Sequence, residues 1–491
     1  MSGVDPRPSR LEADVSPLDD EQLHEFSTLA ARFLSMWSRH RATEVGDHVV
    51  SGQSSDGLLV RLGRELPKHS RPVGLVLDEL EILLDQFLVR TSHPMFLGYV
   101  TPPSLDIAAM GDALAAVTNQ NVSFATLSPL GAALETTVVR WLGEIVGYAV
   151  GSGGLLTSGG SEANLLALAV ARRRLLGEEF VRDGNYISTR RRPRIYCSEQ
   201  THHSIEKAAV LLGLGTLGVV RIPVGADHKM KIDCLARAIE SDAASADWTP
   251  MAVIGNAGTR LCCAFDDLLE LRRISNEFGA WFHVDGAYGG FLKLAKSHEP
   301  ELRGLNQADS ITLDPHKLLF APFDCGALLV RNPDCLNAQF GKEGEYHEPV
   351  LADGLVNFAD LGVQLGRSMK ALKVWLVLQR FGSDRLGAEY DRLLCLAAHL
   401  RTLLVQHERF ELLGPADGLA ICFRVTSGDK SISDNEANAK IRQKIVSGGC
   451  AFIDQVQMDE KVGMRVCFAN FRTTQTEVDG LLQLILNASD E

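Results

Sequence analysis

Short apolar runs alternate with helix-like stretches between about residues 91 and 380, and this rhythm restricts the fold of the 491-residue chain more than any other feature. The runs lie at 194–197, 217–222, 251–255, 281–284, 310–313 and 326–330. Each has the length of a strand and is too short for a helix. Helix-like patterns separate many of them. The pattern at 131–147 places Leu134, Val138, Trp141, Leu142 and Ile145 on one face. Strands that alternate with helices predict an α/β fold, a mostly parallel sheet flanked by helices. In such sheets ligands collect beyond the carboxyl ends of the strands, so residues that carry chemistry are expected there.

The flanks have a different texture. Residues 1–15 read as a polar tail. Ser16-Pro17 with Asp19 then forms a helix start, with a capping hydroxyl, Pro in the first turn and an acid near the positive end of the dipole. Leu23, Phe26, Ala30, Phe33 and Trp37 make an apolar stripe along that helix, and Val76, Leu80, Leu83, Leu84 and Phe87 make another after a Gly/Ser-rich loop. Two such helices cannot bury each other fully, so they are expected to pack on another domain or another subunit. After a helix at 368–381, strand candidates at 418–425 and 463–468 and helices at 385–406, 434–447 and 475–487 predict a small α+β domain. The expected organisation is an N-terminal helical segment (1–90), a large domain (91–380) and a small C-terminal domain (381–491). A chain this long exceeds the size at which one core stops growing.

Charge and cysteine usage exclude several classes. With 49 Lys+Arg against 62 Asp+Glu the net charge is −13, which disfavours non-specific binding to nucleic acid and anionic membranes. The Arg-rich run at 190–194 reads as a solvated loop before a strand. No apolar run approaches the ~20 residues that span a bilayer. The polar first sixteen residues do not read as a secretory signal. The ten cysteines are scattered, with Cys325, Cys422 and Cys467 in apolar segments, where a free thiol behaves as a small hydrophobe. A cytoplasmic location is expected. No metal site is expected either. Cys262 and Cys263 are adjacent on what reads as a strand and would point to opposite faces, and His202-His203 is the only close His pair.

Four stretches carry chemistry. Thr157-Ser158-Gly159-Gly160-Ser161-Glu162-Ala163-Asn164 precedes a helical run. Its glycines allow a tight turn, and the helix start offers unpaired N–H groups, which together can cradle a phosphate. A plain Gly-rich turn is the alternative, and the spacing fits neither the triphosphate nor the dinucleotide loop. Asp285 follows an apolar strand. In a dry site a carboxylate needs a cationic partner, such as a protonated pyridine nitrogen; a helix N-cap is the competing reading. Lys317 follows another strand and precedes Leu318, Leu319, Phe320 and Ala321, apolar company that favours the neutral, nucleophilic form of an amine. His202 opens a helix after the run at 194–197 and offers a flat ring for stacking.

The order of these features, with His93-Pro94, Phe96, Ser128-Pro129, Leu134-Glu135, the stretch TSGGSEANLLAL, Ser204, Glu206-Lys207-Ala208, CCAFDDLLEL, HVDGAYGG, DPHK, Leu365-Gly366-Arg367, Ala371-Leu372-Lys373 and Trp375, resembles the group II amino-acid decarboxylases that depend on pyridoxal 5′-phosphate (PLP). The resemblance covers roughly residues 20 to 485. It implies the fold-type-I architecture of PLP-dependent transferases, with a mostly parallel seven-stranded sheet. It also implies roles: Lys317 holds the cofactor as a Schiff base, His202 stacks on its ring, Asp285 pairs with the ring nitrogen and Ala287 packs on the other face. Gly160, Ser161 and His316 surround the phosphate, with Asp314 close by, where relatives often carry Asn. The region 340–360 resembles the family's active-site loop, and Tyr346 occupies the place of the tyrosine that returns a proton to the substrate carbon.

The implied activity is conversion of an L-amino acid to its amine and CO2 by a homodimer, with residues near 119–128 reaching the neighbouring active site. An oxygen-dependent aldehyde synthase is the alternative; in that branch Phe often replaces the loop tyrosine, or Asn the stacking histidine, so Tyr346 and His202 favour plain decarboxylation. A transaminase or other lyase on the same fold, or a PLP-binding protein without catalysis, completes the set. Three positions depart from the family pattern. Arg260 follows Gly258-Thr259 where relatives carry small or hydroxylated residues, and its guanidinium can face substrate, cofactor or solvent. His203 stands beside His202, and Val100 is smaller than the aromatic residue of aromatic-amino-acid decarboxylases.

Overall fold

The computed structural model describes residues 17–41, 48–50, 56–63, 65–184, 191–341, 354–426 and 432–490. Its centre is a seven-stranded sheet of β1 (Gly153–Thr157), β2 (Arg192–Ser198), β3 (Val219–Ile222), β4 (Trp248–Asn256), β5 (Trp281–Asp285), β6 (Ser310–Leu313) and β7 (Gly326–Val330), in the order β1-β7-β6-β5-β4-β2-β3. β3, β2, β4, β5 and β6 are parallel, whereas β7 is antiparallel to both β6 and β1. Six of these strands coincide with the apolar runs of the sequence. The seventh, β1, does not, because its Gly-Gly start lacks the β-branched and aromatic residues that mark strands.

The strands read as continuous apolar runs because both faces are covered. All five residues of β5 are buried. The helix Gly160–Asp183 packs Leu166, Ala167, Leu168 and Val170 into the core, and burying each leucine stabilises the fold by roughly 1.5–3 kcal/mol. The cross-strand register Asn256↔Asp285↔Thr312 aligns the carboxyl ends of β4, β5 and β6 in one row. Behind β1, Glu135 accepts a hydrogen bond from Leu156 N (2.8 Å) and is ion-paired to Arg367, which also donates to Leu156 O. Burial pushes the Glu135 carboxyl up, and Arg367 opposes the shift.

The helix Ala371–Gln406 leaves this sheet and bends at Gly382 (φ 65), between the two helices expected from the sequence. It leads to a second, antiparallel sheet of β8 (Phe410–Leu412), β9 (Ala420–Val425), β10 (Asp454–Met458) and β11 (Lys461–Cys467), in the order β10-β11-β9-β8. The helices Asp434–Ser447 and Gln475–Asp490 accompany it. Only β9 and β11 were expected. β8 has three residues, and β10 alternates polar and apolar residues with two exposed glutamines.

Several contacts join this sheet and its flanks to the start of the large domain. Leu97 N donates to Phe452 O (2.9 Å), Cys467 N donates to Leu97 O (2.8 Å), and Tyr99 N donates to the Asp454 carboxylate (2.8 Å). The N-terminal helices Pro17–Arg41 and Val73–Phe87 meet through Arg32 with Asp78 and Glu81 and through Arg39 with Glu81. Much of their apolar surface stays open, with Phe26 69% and Leu34 63% exposed. Among the described residues no helix is long and apolar enough to cross a membrane.

Candidate active site

Every strand end that the sequence singled out opens into one cavity of about 450 Å³. Gly160, Ser161, His202, Asp285, Ala287, Asp314, His316 and Lys317 all line it. Tyr346 lies outside the described residues. The side chains are ordered by the sheet itself. The turn Ser158–Ser161 follows β1, Lys317 follows β6, Asp285 ends β5, Asn256 and Arg260 belong to the end of β4 and the turn beyond it, and His202 follows β2.

At one end the turn after β1 is pressed against its neighbours. A Cβ on Gly326 would lie 2.5 Å from the Gly159 Cα, and a Cβ on Gly160 would lie 3.1 Å from both Ala287 Cβ and Asp314 Oδ2. Glycine is therefore required for packing here, while Ser161 and the first N–H groups of the helix Gly160–Asp183 remain for an anion. His316 Nδ1 donates to Cys325 O (2.7 Å), and its Nε2 lies 3.6 Å from Asp314. Burial holds the His316 imidazole below its ordinary value, against the pull of Asp314.

Lys317 stands on the short helix Pro315–Leu318 with its Nζ 2.8 Å from Asp314 Oδ2. The purely apolar setting expected for this amine is thus corrected: an acid three residues earlier in the chain faces it. The other oxygen of Asp314 is buried without a partner among the described residues.

Asp285 is held from behind by a polar chain that links two strands and two helices. Asn164 Nδ2 donates to Asp285 Oδ2 (2.9 Å) and to Ser204 Oγ (2.9 Å), while Ala287 N donates to Asp285 Oδ1 (3.1 Å). Asn164 Oδ1 accepts from Thr312 Oγ1 (2.7 Å) and from His283 Nε2 (3.0 Å). His283 Nδ1 meets Ser310 Oγ (2.8 Å), which also accepts from Trp281 Nε1 (2.8 Å). One polarity satisfies every member. A carboxylate only accepts, so the Asn164 amide must face Asp285, its carbonyl must take the His283 Nε2 proton, and His283 Nδ1 must accept from Ser310. Burial lowers the His283 pKa to about 4, so this ring stays neutral. The same logic continues outward: Ser204 Oγ, already an acceptor, donates to His202 Nδ1 (2.9 Å), and the His202 proton sits on Nε2. Burial also lowers the His202 pKa; Asp285 opposes the shift, and His203, Lys317 and Arg260 reinforce it.

A second network fixes the turn that carries His202. Asn256 Nδ2 donates to Asp266 (2.8 Å) and to Thr201 Oγ1 (2.9 Å), and Asp266 also accepts from Met230 N (2.7 Å). Of the supporting residues, Asn164, His283, Thr312 and Asn256 were given no role from sequence. A signal existed for one of them: His283 and Asp285 are two apart on a strand and so share a face. The Cys262-Cys263 reading is also corrected. Both lie in a turn, not a strand, and Cys263 has φ 58. Among the described residues no cluster of His, Cys, Asp or Glu could hold a metal ion.

The cradle after β1, a buried carboxylate backed only by donors, and an amine at the end of the neighbouring strand suit a phosphorylated, cationic pyridine aldehyde. Residues 57–426 match the pyridoxal-dependent decarboxylase conserved domain. The chain belongs to the pyridoxal-dependent decarboxylases. It is 32% identical to an aromatic-L-amino-acid decarboxylase of Bacillus atrophaeus over 89% of this chain and 90% of that one. It is 30% identical to an L-aspartate decarboxylase of Metarhizium robertsii over 75% of this chain and 74% of that one. The crystal structure of mouse CSAD in apo form superimposes with a TM-score of 0.88 at 26% identity, covering 95% of this chain and 99% of that chain. This decarboxylase therefore has the fold-type-I architecture, takes PLP as its cofactor, and is a carboxy-lyase acting on an amino acid.

Proposed function

We propose that this decarboxylase removes the α-carboxylate of an L-amino acid with Lys317, Asp285, His202 and Tyr346 as its catalytic residues. The observation that carries the assignment is the convergence of Lys317, Asp285 and His202 on one cavity, with Asp285 fixed by a fully satisfied hydrogen-bond chain. Gly160, Ser161 and His316 would hold the phosphate, with Asp314 beside them, and Ala287 would pack against the ring. When bound, PLP supplies an aldehyde carbon for the substrate amine and a cationic ring that draws electrons from Cα.

The protein supplies the rest. Lys317 Nζ would hold the cofactor covalently. Asp285, fixed by Asn164 and the Ala287 N–H, would face the ring nitrogen of the cofactor. His202 presents Nε2–H to the cavity, where no described residue takes it, and can deliver a proton to the carbon that loses CO2, a role it would share with Tyr346. Simple decarboxylation is favoured over aldehyde formation by the presence of both Tyr346 and His202.

The working unit in this reading is a cytoplasmic homodimer with shared active sites, acting on a small molecule without nucleic acid or membrane. Exposed apolar residues support the dimer: Phe26, Phe33 and Leu34 on the first helix, and Val117, Leu127 and Leu130 around the segment expected to reach the second site. Ten free cysteines fit a reducing compartment. The test is purified protein reconstituted with PLP and offered a panel of L-amino acids, with CO2, amine, aldehyde and peroxide measured together. Stoichiometric CO2 and amine are expected. Peroxide with aldehyde would move the protein to the oxidative branch, and an active, monodisperse monomer in sedimentation would sink the shared-site dimer.

A further inference from the structure

Among the described residues, one cation in the cavity has no counterpart. The acids that line it are engaged elsewhere: Asp285 with Asn164 and Ala287 N, Asp314 with Lys317, and Glu162 with Ser158 and Gln364. Arg260 also lines the cavity, is exposed, and forms no ion pair or hydrogen bond among the described residues. It is close enough to His202 to act on that ring electrostatically.

Its backbone, in contrast, is firmly held. Thr259 N donates to Ala264 O (2.8 Å), Cys263 N donates to Thr259 O (2.9 Å), and Ala264 N donates to Thr259 Oγ1 (3.0 Å). Arg465 Nε donates to Leu261 O (2.9 Å) while its Nη1 pairs with Asp454 (2.7 Å). A Cβ on Gly258 (φ 92) would lie 2.9 Å from the Gly289 backbone, so the turn is also pressed against the residues after β5. A rigid turn thus presents to the site a guanidinium that is unpaired among the described residues.

Position decides what it can bind. Along the sheet, the phosphate turn belongs to β1 and β7, Lys317 to β6 and Arg260 to β4, so Arg260 and the cradle lie on opposite sides of the lysine. The phosphate is therefore not its ligand. Two anions of an amino acid remain, the α-carboxylate and a side-chain carboxylate. A cation gripping the α-carboxylate would stabilise the ground state against loss of neutral CO2 and slow the reaction. A side-chain carboxylate keeps its charge throughout, so pairing with it strengthens binding without opposing the chemistry. The cavity of about 450 Å³ must also take cofactor and substrate together, which favours a short side chain.

We infer that Arg260 is a specificity-determining residue that binds the side-chain carboxylate of a short acidic amino acid. This rests on the decarboxylase reading and adds the substrate class. The test compares L-aspartate and L-glutamate with L-phenylalanine, L-leucine and L-2,4-diaminobutyrate on the PLP-loaded protein and on Arg260→Gln and Arg260→Lys. It also measures calorimetric binding of succinate, a dicarboxylate with no amine to react.

For the natural chain, kcat/KM for an acidic substrate is expected to exceed that for the neutral ones by about 100-fold, the scale of a desolvated charge-assisted pair. Arg260→Gln should raise KM for the acid more than it lowers kcat and collapse the acidic-to-neutral ratio, and Arg260→Lys should recover part of it. Succinate binding should weaken about tenfold in Arg260→Gln, as expected for loss of one such contact. Equal weakening of acidic and neutral substrates would assign Arg260 to the α-carboxylate and overturn the inference, as would a natural preference for neutral or cationic side chains. If no amino acid releases CO2 while succinate binding still depends on Arg260, the activity reading fails and the anion subsite stands.

Discussion

The two walls of the cavity are built on opposite principles. The wall made by the sheet ends is buried and internally complete: Trp281, Ser310, His283, Thr312, Asn164 and Asp285 each find partners within the chain. The facing wall, with Tyr99 and Arg260 exposed, leaves its side chains open. The buried wall fixes what chemistry the site performs, because a low-dielectric setting makes each satisfied donor count more and each misfit costly. The open wall, if the inference on Arg260 holds, leaves the choice of substrate to side chains that can change without disturbing the buried network.

Substitutions on the buried wall should therefore damage turnover whatever the substrate. Lys317→Ala removes the proposed covalent anchor, and CO2 release should drop by at least ~10⁴-fold, as for loss of a nucleophile, together with the imine absorbance. Retained turnover would leave a PLP-binding protein whose catalysis lies elsewhere. Asp285→Asn keeps the shape but removes the charge proposed to face the ring nitrogen; kcat should fall by about 10³-fold, the loss expected for a leading electrostatic contact. An effect confined to KM would mean that the acid only helps binding.

The buried wall should also be sensitive to acid. The unfolded chain protonates His283 near pH 6.5, whereas the folded chain resists until about pH 4. The folded state thus binds fewer protons, so stability falls as pH drops from 6.5 to 4, by about 3 kcal/mol in all, and levels off below that. Denaturant titrations should give this slope, and His283→Gln should flatten it. An unchanged slope would place the acid sensitivity elsewhere.

Asn164→Ala leaves Asp285, His283 and Ser204 each short of a bond, at a stability cost of roughly 1–3 kcal/mol. It should also alter the pH profile of kcat by releasing the His202 tautomer; Asn164→Asp should not rescue it, since a second carboxylate would face Asp285. The smallest effect is expected at the border of the two walls. Asp314→Asn removes a negative charge beside the phosphate turn, so PLP should bind a few-fold more tightly in a spectroscopic titration, a change of ~1 kcal/mol typical of one nearby charge. Weaker binding would mean that Asp314 supports the phosphate by hydrogen bonding.

The sequence made the covered wall legible in part. Strand ends and the residues just beyond them follow from apolar runs, which is how Asp285 and Lys317 were placed. β1 was hidden by its glycines, and β8 and β10 by shortness and by polar residues on a half-exposed edge. Asn164 sits in the first turns of a helix, where only the helix rotation against the sheet decides that its amide meets Asp285; no local pattern encodes that. The Asp314–Lys317 pair was missed because the apolar residues after the lysine drew attention away from the acid before it. Arg260 stood out as a departure from the family pattern, but its freedom from partners needed the fold.

The ties of the C-terminal sheet have a mechanical consequence. Asp454 holds Tyr99 through its backbone N–H and holds Arg465, and Arg465 in turn holds the turn that carries Arg260. Both ends of the open wall are thus stitched to β10 and β11, while Lys317 and Asp285 ride on the large sheet. The turn that carries Arg260 is also pressed against the residues after β5, so it is clamped between the two sheets and its distance from Lys317 and Asp285 is set by the fold.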